Sequence, residues 1–515
     1  MGRASAAIAT VAVLLGGACA APARRPAPPP PYDPAIAITD ATLWDGTGRP
    51  PVPHAVTLVR RGRILCAGSL GECPVPRDAR VVDARGGWLI PGLIDTHVHL
   101  LFLRRGSASE ELPNDLRDLL AKGITTVRDM GTNPAELLAR TRPLRGAPRV
   151  YAMQLVAGFR FFYGREQVQM RDGSTAYRLP QAQVMQLRGW TPILFHRDDD
   201  PDSVVAVARA AGAMGLKLYA YLDAASARAL VEAAHRAGMP AWGHAWVQPA
   251  GPRDLVLAGE DGVVHASLFV GDLISGRTRD SLLNSSDILV EGARLATPEA
   301  ARDPHILETL DSMARRGTFL EPTLDITLRS VAHYDAEHAP EPSVSEEYAR
   351  TAVGFSMELT RQAVRRGVRL TAGTDHVAYG PIRDRASLLS ELQLLVDSIG
   401  LSPEAALFAA TRDAARALGG DAARQLGTIE AGRLADLVLL DRNPLEDIRN
   451  LESVEWVMQG GTIWRPWQLR SGIASAAPGA RPDGAAAGPG AAGPAAAGRV
   501  GADGETVFRG AANPY

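Results

Sequence analysis

Residues Pro91-Gly92-Leu93-Ile94-Asp95-Thr96-His97-Val98-His99-Leu100 constrain this chain more than any other stretch. An apolar run, Trp88-Leu89-Ile90, enters it, and Leu100-Leu101-Phe102 leaves it. Side chains alternate between the two faces of a strand, so His97 and His99 share a face, about 7 Å apart along the strand. Two imidazoles converging from one rigid strand form half of a metal site. The competing reading is a pair of hydrogen-bonded core histidines, and further ligands elsewhere decide between the two.

Four other residues sit in the same kind of setting. Lys217 lies in Gly215-Leu216-Lys217-Leu218-Tyr219, and His244 in Ala241-Trp242-Gly243-His244-Ala245. His265 lies in Gly262-Val263-Val264-His265-Ala266, and Asp375 in Leu370-Thr371-Ala372-Gly373-Thr374-Asp375. Each is in, or at the C-terminal end of, a short apolar run followed by loop-like sequence. In a βα barrel that is the face where catalytic side chains gather.

The middle of the chain alternates strand-like and helical patterns, which predicts a parallel α/β architecture. Strand candidates fall at 93–99, 124–129, 149–153, 193–196, 215–219, 241–244, 263–265, 318–323 and 370–375. That is nine runs for the eight places of a barrel, and 193–196 is the one to drop. The expected fold is α/β, a (β/α)8 TIM-like barrel over 93–420. Leu388, Leu392, Leu395, Val396 and Ile399 recur at helical spacing. Ser402-Pro403-Glu404 starts a helix expected to run to Gly419. Residues 34–92 and 421–466 both read as short strands, so the two ends are expected to build one small β-sandwich. Long loops are expected at 157–190 and 270–305. The first carries the aromatic cluster around Tyr163, either a substrate surface or a packed lid. Asp198-Asp199-Asp200-Pro201-Asp202 reads as a solvated helix start, not a metal site.

A formal net charge of −2 argues against a nucleic-acid surface. No segment after residue 20 is long and apolar enough to cross a bilayer. Residues 1–20 read as a signal peptide, with Arg3 ahead of an uncharged run from Ala6 to Leu15. Cys19 is either a lipid-anchor site or part of an ordinary cleavage site. Export to the periplasm or cell envelope is expected. Residues 21–33 form a Pro-rich linker, and 467–515 an Ala/Gly/Pro-rich tail expected to be disordered. Cys66 and Cys73 can pair across a short loop or remain two thiols.

The motif at 91–99, the run Gly123-Ile124-Thr125-Thr126-Val127-Arg128-Asp129-Met130-Gly131, the Lys217 strand, Gly243-His244-Ala245, Val264-His265-Ala266 and Ala372-Gly373-Thr374-Asp375 together resemble the metal-dependent amidohydrolase superfamily. Within it, the chain is most similar to the imidazolonepropionase and prolidase-like group, over roughly residues 34–465. The resemblance implies a ligand set of His97, His99, Lys217, His244, His265 and Asp375 for two divalent ions, zinc first among them. In the resembling enzymes the equivalent lysine is carboxylated by CO2, and the carbamate bridges both metals. One metal would then be held by His97, His99 and Asp375, the other by His244 and His265, with Lys217 between. From its residues alone, Lys217 could equally be a surface lysine on a strand edge.

The reaction implied is hydrolysis of an amide C–N bond by a metal-bridging hydroxide. Asp375 takes the proton and hands it to the leaving nitrogen. The substrate implied is a dipeptide, an N-acyl amino acid or a cyclic amide. Arg128 and Asp129 are candidates for structural or substrate contacts, Tyr163, Tyr219 and Tyr221 are weaker candidates for substrate contacts, and Arg128, Asp129, Tyr219 and Tyr221 can each also be read as core or rim. The alternatives are a one-metal deaminase of heterocycles, which needs no strand lysine, and an exported binding protein that has lost catalysis.

Overall fold

The computed structural model describes residues 33–101, 111–158, 166–169, 175–178, 192–274, 292, 294–330, 344–377 and 387–471. The leader with Cys19, nearly all of the linker, Tyr163 and most of the tail lie outside the described residues.

Five strands open the chain: β1 (Ile36–Leu43), β2 (Val52–Arg60), β3 (Arg63–Gly68), β4 (Arg80–Asp83) and β5 (Trp88–Pro91). Gly92 alone separates β5 from β6 (Leu93–His99). A Cβ at Gly92 would lie 2.2 Å from the Thr125 hydroxyl oxygen, so only glycine lets the first sheet pass straight into the second. Strands β7 (Ile124–Asp129) and β8 (Arg149–Gly158) follow. An antiparallel hairpin, β9 (Glu166–Gln169) with β10 (Thr175–Arg178), interrupts the stretch expected as a loop at 157–190. Then come β11 (Ile193–Phe195), β12 (Gly215–Leu218), β13 (Ala241–His244), β14 (Gly262–Val264), β15 (Phe319–Glu321) and β16 (His376–Val377).

These form one curled parallel sheet in the order β15-β14-β13-β12-β8-β7-β6-β16, which fits a TIM-like barrel. Leu370 bridges Leu320 of β15, while β16 pairs with β6, so the segment 370–377 reaches both edges. β11 pairs with β8 off this path, which is why 193–196 fills none of the barrel's places.

Alternation along each strand separates two apolar layers. Leu216, Leu218 and Val263 join the outer layer with Leu230, Val231 and Leu255 of the surrounding helices. Met130, Met153, Trp242, Val264 and Phe319 pack together as a separate cluster that plugs the barrel. Each such side chain, fully buried, stabilises the fold by about 1.5–3 kcal/mol.

The helix expected over 402–419 begins as read, with the Ser402 hydroxyl accepting from the Ala405 amide at 3.1 Å. It breaks, however, into Pro403–Ala409 and Arg412–Leu418. The break has a use: the Ala409 and Ala410 carbonyls accept from Ala372 N at 3.0 Å and Ile94 N at 2.8 Å, tying two barrel strands to it. The acidic run behaves as expected: Asp200 caps the helix Pro201–Ala210, and Asp202 pairs with Arg236.

The C-terminal strands β17 (Leu437–Leu440), β18 (Val454–Gln459) and β19 (Thr462–Trp464) join the N-terminal ones. The order is β19-β18-β17-β5-β1-β2-β3, with β4 beside β1. Both chain ends therefore share one hydrogen-bonded sheet, and Ile38, Val59 and Ile64 of its N-terminal strands pack in one core with Leu437, Trp456 and Met458 of its C-terminal ones. Pro466–Arg470, at the start of the stretch expected to be disordered, is a helix whose Leu469 is buried. Arg470 of that helix lies 3.8 Å from Asp118.

Cys66 and Cys73 are disulfide-bonded, with Cα atoms 5.6 Å apart. Closing so short a loop stabilises by about 2 kcal/mol. Cys66→Ser/Cys73→Ser should lower the urea midpoint of the full chain accordingly, and reductant should do the same to the parent protein. A parent protein indifferent to reductant would contradict the bond.

Candidate metal centre

The ligand candidates converge because their strands end on one face of the sheet. His97 and His99 come from β6, with ring centroids 5.1 Å apart. The His265 ring lies 5.2 Å from His97 and 4.7 Å from His244. Asp375 Oδ1 lies 3.3 Å from His97 Nε2 and 3.1 Å from His99 Nε2. His97, His99 and Asp375 place their ligand atoms within 4.8 Å of one another. Lys217 is 1 % exposed and close enough to act electrostatically with Asp375, Glu321, His97, His244 and His265.

One candidate ligand, His265, reaches the site against the strand pattern. Val264 points into the barrel, so His265 by alternation would point out. Its φ of +67° ends the strand and turns the ring in. Asp375, between the Leu370 bridge and β16, also has a left-handed φ, +52°. Non-glycine residues held in this region concentrate at functional sites.

Below the ligands, Glu321 is fully buried and faces four donors. His97 Nδ1 donates to Oε1 at 2.7 Å. Arg128 Nη2 at 3.1 Å, the Thr371 hydroxyl at 3.2 Å and the Thr96 hydroxyl donate to Oε2. Asp95 accepts from the amides of His97 and Thr374, both at 3.1 Å, and from the Thr374 hydroxyl at 2.8 Å. It thereby ties the strand carrying His97 to the loop carrying Asp375. Thr323 Oγ1 donates to the Pro322 carbonyl and sits 2.8 Å from His265 Nδ1.

Burial pushes the imidazoles of His97, His244 and His265 below their usual value, so they stay neutral. Burial would raise the Asp375 carboxyl, but the adjoining His97, His99 and His265 rings outweigh it and hold it below the usual carboxylate range. Burial likewise opposes ionisation of Glu321, yet Arg128 and His97 bring it down to about 2. Burial lowers the Lys217 amine to about 7. It raises Asp95 to about 7 despite that residue's hydrogen bonds.

This donor set fits a divalent cation. The Glu321 carboxylate can only accept, so His97 Nδ1 carries the proton and Nε2 carries the lone pair. That lone pair faces the Asp375 carboxylate at 3.3 Å, acceptor against acceptor, an arrangement that a cation resolves. Lys217 Nζ has no hydrogen-bond partner among the described residues. A buried neutral amine is the form that can take up CO2.

Of the candidates outside the ligand set, Tyr219 lies at the site, its ring 4.4 Å from His244. Burial raises its hydroxyl, so it stays protonated. Arg128 lies in the barrel interior instead of at the mouth. Its guanidinium stacks 3.9 Å over Trp242 and donates to the Thr96 carbonyl and to Glu321. Asp129 accepts from Leu100, Gly131 and Thr132 and so shapes the loops after β6 and β7. A cavity of about 450 Å³ is lined by Asp118, Lys122 and Arg329 and reaches Asp95 and Thr374 below the ligand cluster. Lys122 pairs there with Asp118 and Arg329 with Asp325.

Glu321, Thr323 and Asp95 are site residues that the sequence reading missed. Glu321 carried the same signal as Lys217, a charged residue closing an apolar run, Phe319-Leu320-Glu321. Asp95 stood two positions before His97 on the same strand.

The lowered Lys217 amine makes stability depend on pH. Above about pH 7 the folded, metal-free chain has released a proton that the unfolded chain keeps until its ordinary value of 10.5. Stability of the metal-free protein therefore rises with pH across that interval. Urea titrations of parent and Lys217→Met should differ by that rise, which the variant loses.

Comparison with known proteins agrees with this geometry. The model of the amidohydrolase family matches residues 88–463. The imidazolonepropionase of Methylobacterium nodulans is 25% identical over 431 residues, 76% of this chain and 88% of that enzyme. The imidazolonepropionase of Idiomarina loihiensis is 35% identical over 79 residues, but the match spans only 15% of this chain and 19% of that enzyme. A Xaa-Pro dipeptidase with bound methionine superposes with a TM-score of 0.61 at 21% identity, covering 84% of this chain and 100% of its own. The ochratoxinase of A. niger does so with a TM-score of 0.62 at 19% identity, covering 84% and 98%. These two likenesses concern the fold. The family match runs from β5 through the whole barrel into β19, and the chain belongs to the amidohydrolase family, hydrolases acting on carbon–nitrogen bonds.

Proposed function

We propose that the chain is a binuclear metal-dependent hydrolase of an amide C–N bond, with Lys217 carboxylated between the two ions. One observation carries this reading: a fully buried lysine amine lies among His97, His244, His265 and Asp375, lowered by burial to about 7 and without a hydrogen-bond partner among the described residues. His97, His99 and Asp375 would hold one divalent ion, His244 and His265 the other, and the Lys217 carbamate both. Such ions, zinc first among them, supply Lewis acidity toward a carbonyl and activation of water.

The chain's own part is to hold the ligands and to move a proton. Asp375 Oδ1 faces the two histidines, and Oδ2 has no hydrogen-bond partner among the described residues. An ionised Oδ2 can take a proton from the attacking water and return it to the leaving nitrogen. Tyr219, protonated beside His244, can donate to a substrate carbonyl or carboxylate. Small peptides, N-acyl amino acids and cyclic amides are the substrate classes to screen. The named activities of the imidazolonepropionase and Xaa-Pro dipeptidase relatives fall in that range.

A second reading, a one-metal deaminase, draws support from the compactness of His97, His99 and Asp375. Metal content separates the two. Protein purified in bicarbonate without chelator should carry about two ions per chain by elemental mass spectrometry. Lys217→Ala should drop to one ion or fewer and lose about 100-fold or more of its amide hydrolysis. Full metal content and activity in Lys217→Ala would end the binuclear reading, and one ion in the parent would favour the deaminase. We also infer export to the periplasm or cell envelope, supported by the Cys66–Cys73 disulfide, which suits an oxidising compartment. Anchoring at Cys19 is tested by labelling with a fatty-acid analogue.

A further inference from the structure

Barrel strand β15 supplies none of the six metal ligands, yet its end touches two of them. Glu321 closes the strand and Thr323 follows one residue later. Glu321 accepts from His97 Nδ1 at 2.7 Å. Thr323 Oγ1 spends its proton on the Pro322 carbonyl at 2.8 Å and so can only accept from His265 Nδ1, also at 2.8 Å. His97 and His265 belong to different metals of the proposed pair. In both rings these contacts put the proton on Nδ1 and the lone pair on Nε2, the atom a metal needs.

The segment is built to hold still. Glu321 is anchored by Arg128, which is itself buried against Trp242. Gly373 leaves room for the contact, since a Cβ there would lie 2.6 Å from His97 Cβ and 2.7 Å from Glu321 Cδ. Thr323 sits at φ +52°, a conformation its surroundings must enforce. The enforcement comes from the helix Leu388–Asp397. Its buried Glu391 accepts from Leu324 N at 3.0 Å and Asp325 N at 2.7 Å, clamping the backbone just after Thr323.

We propose that Glu321 and Thr323 are positioning residues, one for each metal, and that the segment 321–323 is the common platform that sets the affinity of both sites. The proposal rests on the binuclear reading above. It predicts a division that a general structural role would not produce. Glu321→Gln weakens the site of His97, His99 and Asp375, and Thr323→Val weakens the site of His244 and His265.

The test is Zn²⁺ binding to the full-length chain in bicarbonate, measured by competition with a chelating dye, with urea midpoints of the metal-free proteins beside it. The parent should show two binding steps. Each variant should weaken one step by about 10–100-fold and a different step from the other variant. Thr323→Ser, which keeps the hydroxyl, should bind as the parent does. Two unchanged steps in either variant would overturn the proposal and leave the binuclear reading standing. Loss of both steps together with a lowered midpoint, in Thr323→Val as well as Glu321→Gln, would reduce the segment to a structural role and also overturn it. A parent that binds no Zn²⁺ would overturn the proposal and the reading beneath it.

Discussion

Burying charge is the constraint on which this molecule depends. Lys217, Arg128, Glu321, Asp375 and His97 are all withdrawn from water in one barrel. An isolated buried charge costs far more than any single contact returns. The cost is met by pairing: Glu321 with Arg128 and His97, Asp375 with the histidines, and Arg128 also with the face of Trp242. Several buried polar atoms have no hydrogen-bond partner among the described residues, the Lys217 amine and the oxygens of Asp375 and Glu260 among them. Lys217 and Asp375 belong to the candidate ligand cluster, and on the proposed reading cations and a carbamate would balance them.

The scaffold answers this constraint with unusual backbone after β14, after β15 and just before β16. His265, Thr323 and Asp375 all sit at left-handed φ. Regular strands would aim His265 away from the site. A left-handed residue at the end of a strand reverses that aim at a cost of order 1–3 kcal/mol, which the surrounding packing must supply. The hydrogen bonds of Asp95 to Thr374, and of Glu391 to the backbone after Thr323, are where that supply is visible. Positioning and stability are thus coupled: the contacts that hold the ligands also hold the barrel shut between β6 and the segment 370–377.

The strands, and the candidate ligands they carry, were largely legible from the residues. The run around His97 and His99, the lysine inside Leu216-Lys217-Leu218, and apolar runs ending in His244, His265 and Asp375 are local patterns, and local patterns survive without a structure. The residues that orient those ligands were less visible, because their meaning lies in distant partners. Glu321 and His97 are 224 positions apart, and Thr374 and Asp95 are 279 apart. Whether Arg128 makes structural or substrate contacts was left open for a related reason. Its position at the end of β7 suggested the barrel mouth, but stacking on Trp242 and pairing with Glu321 draw it inward. The break after Ala409 was hidden too, since an alanine-rich helix gives no local sign that barrel amides will claim its carbonyls. The end strands were recognisable one by one, whereas their union into a single sheet depends on pairings such as β17 with β5, which no periodicity reports.

The most direct test of the account is anomalous diffraction at the zinc edge from crystals grown in bicarbonate. The account predicts two anomalous peaks, one beside His97, His99 and Asp375 and one beside His244 and His265, with extra density on Lys217 Nζ reaching both. A single peak at His97, His99 and Asp375, with an unmodified Lys217 side chain, would contradict it.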